Sequence, residues 1–418
     1  MKSVIFYHKN LNAGGAERVL LELFKGRSEF QLSWGIVLGS ESGELMTSAD
    51  SEWFIPVKLP SASFLERGLR KLGFPIRTGS ELILARGLAY LEEKLGSSTY
   101  QSIKKDIILH LKAESLTRLV EALKQNKPEV LVSSLVESGH LVALVALELA
   151  YPEGERPVWV ATEHNNTLRR IEDYYPETER MTAWIEVTKL VYQTANHVVS
   201  VSEGVRDGLV QSFDIPREKI SVIYNPVPIE DIRQTAPTQS KQPYLLSAGR
   251  LHSQKQFEHL LKAFAEAYLM IPHELWIAGA GSEQVSLESQ AEELGIHGRV
   301  RFLGVRTDLW ALMKSADAFI MSAKYEGFGM TLIEAMAAGS PVISYDVDFG
   351  PREFIENGKS GFLVPEGNIQ GLSQAILEVL KDKKLSEEIV NHAKLEVSRF
   401  DRRIASEQYG KLLLNLVS

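Results

Sequence analysis

Ala318-Phe319-Ile320-Met321, followed after three residues by Tyr325-Glu326-Gly327-Phe328-Gly329-Met330-Thr331-Leu332-Ile333-Glu334-Ala335-Met336-Ala337-Ala338-Gly339, decides the fold. The four apolar residues suit a strand buried on both faces, the two glycines a loop, and the run from Met330 the opening of a helix. A strand that delivers a loop and then a helix is the repeating unit of a parallel sheet covered by helices. Working outward, the same reading gives strands at Val4–Tyr7, Val130–Ser133, Val158–Thr162, His197–Val201, Tyr244–Ala248, Glu274–Ala278, Val300–Leu303 and Pro341–Ser344. Helical periodicity fills the gaps, as in Phe257–Tyr268 and Gly371–Lys381. The class is α/β. A chain of 418 residues is too long for one hydrophobic core. Asn225-Pro226-Val227-Pro228 through about Gln242, with Thr235, Pro237 and Ser240 as further breakers, reads as a linker between two α/β domains.

Composition narrows the function. Hydrophobic residues make up 44% and charged residues 24%, as in soluble globular proteins. A net charge of −8 argues against a nucleic-acid partner. Without cysteine there is no disulfide, thiolate nucleophile or Cys-ligated zinc, and the ten histidines form no H-x-x-x-H pair. The N-terminal residues show no export h-region, and the longest apolar run, Leu141–Leu147, is broken by Glu148. The expectation is a cytoplasmic protein that touches a membrane, if at all, from its surface. Ser61–Val120 departs from the acidic average, with ten Lys/Arg against six Asp/Glu. Phe64, Leu65, Leu69 and Leu72 share one helical face with Arg67, Arg70 and Lys71 around it and Arg77 close by. That pattern suits an anionic membrane interface, and it suits equally a helical insertion with a solvated basic side.

Four clusters could carry chemistry. Glu326 lies in a loop at a strand's carboxyl end and Glu334 more than one turn inside the next helix, so the two carboxylates would meet different parts of one elongated ligand. Gly327 and Gly329 let backbone approach that ligand, and the helix start suits a phosphate. The plain alternative is one solvated and one packed glutamate. Ser247-Ala248-Gly249-Arg250-Leu251 with Lys255 places two cations at the same sheet edge, enough to neutralise a diphosphate. Asn12-Ala13-Gly14-Gly15-Ala16-Glu17-Arg18 opens a helix after the first strand; a phosphate turn and an ordinary tight turn account for it equally. Glu163-His164-Asn165-Asn166 puts a histidine where it would either touch substrate or cap the next segment. Asp346-Val347-Asp348 has metal-binding spacing but reads as a polar exit from a strand.

In this order, with Val222–Val227, Arg301–Gly304, Ser315–Ala318 and Asn357–Val364, the clusters resemble the retaining glycosyltransferases of family 4, bacterial surface-polysaccharide and lipid-linked oligosaccharide type. The resemblance implies a GT-B fold, two Rossmann-like domains with parallel sheets facing across an interdomain cleft. Residues 1–228 would form the acceptor domain, with a helical insertion at about 61–125 and the C-terminal helix 402–418 rejoining it. Residues 229–401 would form the nucleotide-sugar domain. Arg250, Lys255, Gly14, Gly15, Gly329, Met330 and Thr331 would hold the donor diphosphate, Glu334 the ribose, and Gly304, Val305 and Arg306 the base. Glu326, Gly327 and Phe328 would hold the sugar, with Glu326 and His164 as the catalytic pair. Where the family reads Lys-Gly, this chain has Lys255-Gln256. The implied reaction is metal-independent and cofactor-free transfer from a UDP-hexose or UDP-N-acetylhexosamine to a growing glycan, lipid-linked or surface polysaccharide. A GDP-mannose-dependent mannosyltransferase and a GT-B-fold UDP-sugar epimerase are the alternatives. The implied partners are the donor, the acceptor and an anionic membrane on its cytoplasmic face, without nucleic acid.

Overall fold

The computed structural model describes residues 2–9, 15–26, 32–38, 50–57, 79–135, 139–152 and 154–418. The chain divides into two compact units, one of residues 1–201, 205–223 and 406–418, the other of residues 202–204 and 224–405.

The first unit is built on a six-stranded parallel sheet, β1 Lys2–His8, β2 Leu32–Leu38, β3 Val130–Ser134, β4 Val158–Glu163, β5 His197–Ser200 and β6 Ile220–Val222, ordered β2-β1-β3-β4-β5-β6. Val4 to Tyr7, Val130 to Val132 and Trp159 to Ala161 are buried without alternation, as strands covered on both faces must be. The apolar run Leu141–Leu147 lies in the helix Leu141–Ala150 and is buried all round, so it belongs to the core. Helices Gly79–Leu95, Ser97–His110 and Ala113–Asn126 precede β3. Ala113–Asn126 sinks Leu116, Leu119, Val120 and Leu123 against the Leu141–Ala150 helix. Phe64, Leu65, Leu69, Leu72, Arg67, Arg70, Lys71 and Arg77 lie outside the described residues, as do Asn12 to Gly14.

The second unit repeats the plan with β7 Tyr244–Ala248, β8 Glu274–Ala278, β9 Val300–Gly304, β10 Ala318–Met321, β11 Val342–Asp346 and β12 Phe362–Pro365, ordered β12-β11-β10-β7-β8-β9 and parallel throughout. One face is covered by the helices Phe257–Ala267 and Ile369–Lys381, which bury Leu260, Leu261, Phe264, Leu372 and Ile376 on Leu245, Leu275, Ile320 and Ile343. Asn368 caps the second of these helices, its side chain accepting from the Gly371 N–H at 2.9 Å.

The expected linker from Asn225 to Gln242 is ordered for much of its length. Pro228 starts a short helix, Ile229–Gln234, and fully buried Val227 pairs with Asp401 through backbone bonds to Phe400 and Arg402 at 2.9 Å each. Prolines read as breakers from sequence act here as helix start and bridge flank.

Candidate active site

In the second sheet β7 and β10 are neighbours, yet the chain leaves them in opposite directions, toward β9 from one and toward β12 from the other. The carboxyl ends of two such strands are the switch point where open α/β sheets take ligands. Arg250 and Lys255 follow β7; Glu326, Gly327, Phe328 and the helix Met330–Ala338 follow β10.

Lys255 and Glu326 are paired there, with side chains 19% and 11% exposed. The lysine stem runs over Gly249, where a Cβ would stand 3.5 Å from Lys255 Cε. Arg250 is exposed, and among the described residues no ion pair or hydrogen bond engages its guanidinium. The site therefore presents one available cation, one cation held by a carboxylate, and the opening of a helix. Gly329, at φ +90°, turns the chain into that helix, whose first N–H groups at Met330 and Thr331 have no intrahelical acceptor. Both residues are half-buried at the helix mouth.

The loops are fixed to one another. Gly279 has φ +142°, and a Cβ on it would lie 1.9 Å from the Gly249 carbonyl oxygen, so the loop after β8 touches the cation loop backbone to backbone. Gln254 Nε2 donates to the Tyr325 carbonyl at 3.0 Å, and the Lys324 N–H donates to the Gln254 carbonyl at 2.8 Å. Ser322 Oγ lies 2.9 Å and 3.0 Å from the carbonyl oxygens of Lys255 and Gln256. Below the glycines, Phe328 packs against Tyr224, Phe354 and Phe400 with ring centroids 5.9, 6.0 and 5.2 Å apart. Ser202 Oγ donates to the Gly327 carbonyl at 2.7 Å. Gln256 adopts φ +46°, the left-handed conformation that glycine takes without strain, so the turn forms although its residue is not glycine.

Of the other expected donor contacts, Glu334 is fully buried in the Met330–Ala338 helix. Gly304 ends β9 at φ +65°, its carbonyl accepting from the Gly279 N–H at 2.8 Å. Val305 is exposed. Arg306 is engaged by both oxygens of Asp308 at 2.8 and 2.7 Å, which holds the Asp308 carboxyl below its ordinary pKa. Asp346, the first of the D-x-D pair, accepts from Arg352 Nε at 3.0 Å, while Asp348 is exposed.

In the first unit Gly15 opens the helix Gly15–Gly26 after β1, while Gly14 lies outside the described residues. His164 stands just past the end of β4, its Nε2 3.0 Å from Thr162 Oγ1. Its backbone is set by Glu163, a buried carboxylate whose Oε1 accepts from the N–H groups of His164 and Asn165 at 2.8 and 2.9 Å. Tyr192 donates its hydroxyl to the other oxygen of Glu163. Beneath lies His140, fully buried, with Nε2 3.2 Å from the Thr162 carbonyl and Nδ1 2.7 Å from Ser133 Oγ. A carbonyl only accepts, so Nε2 carries the proton and the Ser133 hydroxyl donates to Nδ1. Ser133 Oγ also accepts from Trp159 Nε1 at 2.8 Å. Burial, reinforced by the electrostatic influence of His164, Arg170 and His8, pushes the His140 pKa down to about 3. His140 is neutral in the folded chain.

Sequence reading placed Glu163 in a candidate cluster without giving it a role, and did not single out His140, Gln254, Ser322 or Ser202. Part of the signal was present: Ser322 directly follows the apolar strand Ala318–Met321, and Ser133 lies at the polar end of β3.

Two family models match the chain, one described as glycosyl transferases group 1 over residues 228–396, the other as Glycosyltransferase Family 4 over residues 99–231. The lipopolysaccharide core biosynthesis glycosyltransferase LpsE of Rhizobium meliloti is 32% identical over 43% of this chain and 52% of its own length. An N-acetylgalactosamine-N,N'-diacetylbacillosaminyl-diphospho-undecaprenol 4-alpha-N-acetylgalactosaminyltransferase of Campylobacter jejuni is 31% identical over 54% of this chain and 62% of its own length. The chain thus spans between half and two thirds of the length of these relatives. Among solved structures, Anabaena HepE in complex with UDP-glucose superposes with a TM-score of 0.74 at 20% identity, covering 99% of this chain and 100% of the other.

Proposed function

We infer that this chain, which belongs to the family 4 glycosyltransferases of GT-B fold, transfers a sugar from a UDP-sugar to a growing glycan of the lipopolysaccharide or surface-polysaccharide kind, with retention at the anomeric carbon. The observation that carries the reading is the switch point of the second sheet, where Lys255 pairs with Glu326, Arg250 follows the same strand as Lys255, and a helix opens at Met330. That is a diphosphate site with a carboxylate one step away, the polarity of a nucleotide sugar. The lipopolysaccharide and diphospho-undecaprenol substrates in the relatives' names support a lipid-linked acceptor.

In this reading the bond from the anomeric carbon to the diphosphate oxygen breaks as the acceptor oxygen adds from the same face. The acceptor's proton leaves with the departing phosphate. Positive charge builds on the sugar ring and negative charge on the diphosphate. Arg250, Lys255 and the N–H groups at Met330 and Thr331 stabilise the second, and Glu326 fixes the sugar hydroxyls. His164, held by Glu163 through its backbone, serves the reacting face of the sugar. Glu334 accepts from the ribose, and backbone at Gly304, Val305 and Arg306 meets the base. No metal enters, and transfer continues in excess EDTA. Among the described residues no helix is long and apolar enough to cross a bilayer, and contact with an anionic membrane is assigned to the basic stretch between Ser61 and Val120. Liposomes of anionic lipid then bind the protein at low salt and release it at high salt.

A thermal-shift screen of UDP, GDP, UDP-glucose, UDP-galactose, UDP-N-acetylglucosamine and GDP-mannose tests the donor. UDP-sugars should raise the melting temperature more than GDP-mannose. A protein stabilised by none of them would sink the reading.

A further inference from the structure

We propose that Gln254 is a positioning residue that sets the spacing between the diphosphate-binding lysine and the sugar-binding glutamate; this rests on the reading of the site given above. Gln254 immediately precedes Lys255, and the carbonyl that its side chain grips belongs to Tyr325, which immediately precedes Glu326. One side chain therefore ties the two loops together one residue away from each functional group. The tie is doubled, because the Gln254 carbonyl accepts from the Lys324 N–H at 2.8 Å, on the other side of Tyr325.

The geometry suits holding rather than contact with ligand. Gln254 is 5% exposed and sits in the 3-10 turn Ser253–Lys255, where its N–H faces His252 Nδ1 at 3.4 Å. Loops leaving two different strands have no shared ladder to fix their separation, and here the register depends on these few bonds and on Ser322. Lys255 and Glu326 meet different parts of one donor, so their separation has to match the distance from diphosphate to sugar ring. Displacement of a catalytic group by about 1 Å costs rate out of proportion to its effect on binding.

The role needs an N–H donor of glutamine's length. Gln254→Met keeps the volume without the donor, and Gln254→Glu replaces the donor by an acceptor facing the Tyr325 carbonyl. The experiment measures four quantities in wild type and both variants: melting temperature, UDP affinity, affinity for the UDP-sugar that stabilises wild type most, and turnover of that donor by hydrolysis or transfer. In both variants turnover should fall about 10-fold or more per folded molecule. The preference for UDP-sugar over UDP should shrink, with UDP affinity within about threefold of wild type. A residue with only a structural role would lower the melting temperature and leave turnover and that preference unchanged, and this result overturns the proposal. If either variant does not fold, Ser322→Ala, which loosens the same junction from β10, takes its place with the same expected split. Wild type that binds no nucleotide sugar overturns the functional reading and this proposal with it. Wild type that binds, beside variants with wild-type turnover, overturns this proposal alone.

Discussion

Removing the carboxylate of Glu326 should tighten the binding of UDP while it stops transfer. The structure gives the sign: without ligand, Lys255 is held by Glu326, and a diphosphate must compete for it. Both side chains are mostly buried but not fully so, which makes the pair worth about 1 kcal/mol or somewhat more. A carboxylate near the bound diphosphate adds repulsion of about 0.5 kcal/mol in all once water and salt screen it. Glu326→Gln relieves both, so UDP should bind about 5- to 20-fold more tightly. Lys255→Met should act oppositely, losing about 1.5–3 kcal/mol of charge-assisted bonding and weakening UDP by at least about 10-fold. In the double variant the gain from Glu326→Gln should shrink, because the lysine it set free is gone. Titration calorimetry with UDP on the four proteins reads the whole cycle. If Glu326→Gln weakened UDP as much as Lys255→Met does, the pair would not be a competitor of the ligand, and the division of roles between the two residues would be refuted.

Further outcomes follow from other parts of the fold. His140 holds a pKa of about 3 when folded against about 6.5 when unfolded, so between these values the unfolded chain binds the extra proton. The stability from this site is whole above about pH 6.5 and drains as pH falls toward 3, at up to about 1.4 kcal/mol per pH unit. His140→Gln should flatten that slope in urea unfolding from pH 7 to pH 4; an unchanged slope would show that other groups set the acid limit. Gly279→Ala should push the Gly249–Arg250 backbone aside, since its Cβ has no room beside the Gly249 carbonyl, and weaken UDP binding by about 10-fold or more by calorimetry. Gln256→Gly should stabilise the second unit by about 0.5–1 kcal/mol in the same unfolding assay, because the positive φ no longer strains a side chain. A loss of stability there would mean that the Gln256 bond to Glu366 outweighs the strain.

The central strands were legible because burial on both faces leaves unbroken runs such as Val4–Tyr7 and Ala318–Met321. The strands that escaped are β2, β6 and β12, each at the edge of its sheet or short. β2 carries an exposed Ser33 and Gly35 among its apolar residues, β6 has three residues, and β12 ends in Pro365. At the site, Lys255, Glu326 and Gly329 could be read because charge or a helix start punctuates the sequence beside a strand. The roles of Gln254 and Glu163 could not. Each acts through a partner distant along the chain or through its own neighbours' backbone, and a polar residue of that kind looks the same in a solvated loop. The turn at Gln256 escaped for a related reason: the residue type points away from the conformation that the surrounding bonds enforce.

The division of the first unit between distant parts of the chain sets an order on synthesis. Residues 406–418 belong to it, with Ser406 Oγ donating to the Leu23 carbonyl at 2.9 Å and Val417 accepting from Lys2. All of residues 224–405 must emerge before that segment exists. At ordinary elongation rates the wait is roughly 10–40 s, long against the folding of a helix or a sheet. The second unit can complete its sheet while the first, made earlier, still lacks a helix over its opening strand and helix. The half that starts first finishes last, and during the wait its uncovered apolar surface is the part of the nascent chain most in need of a chaperone.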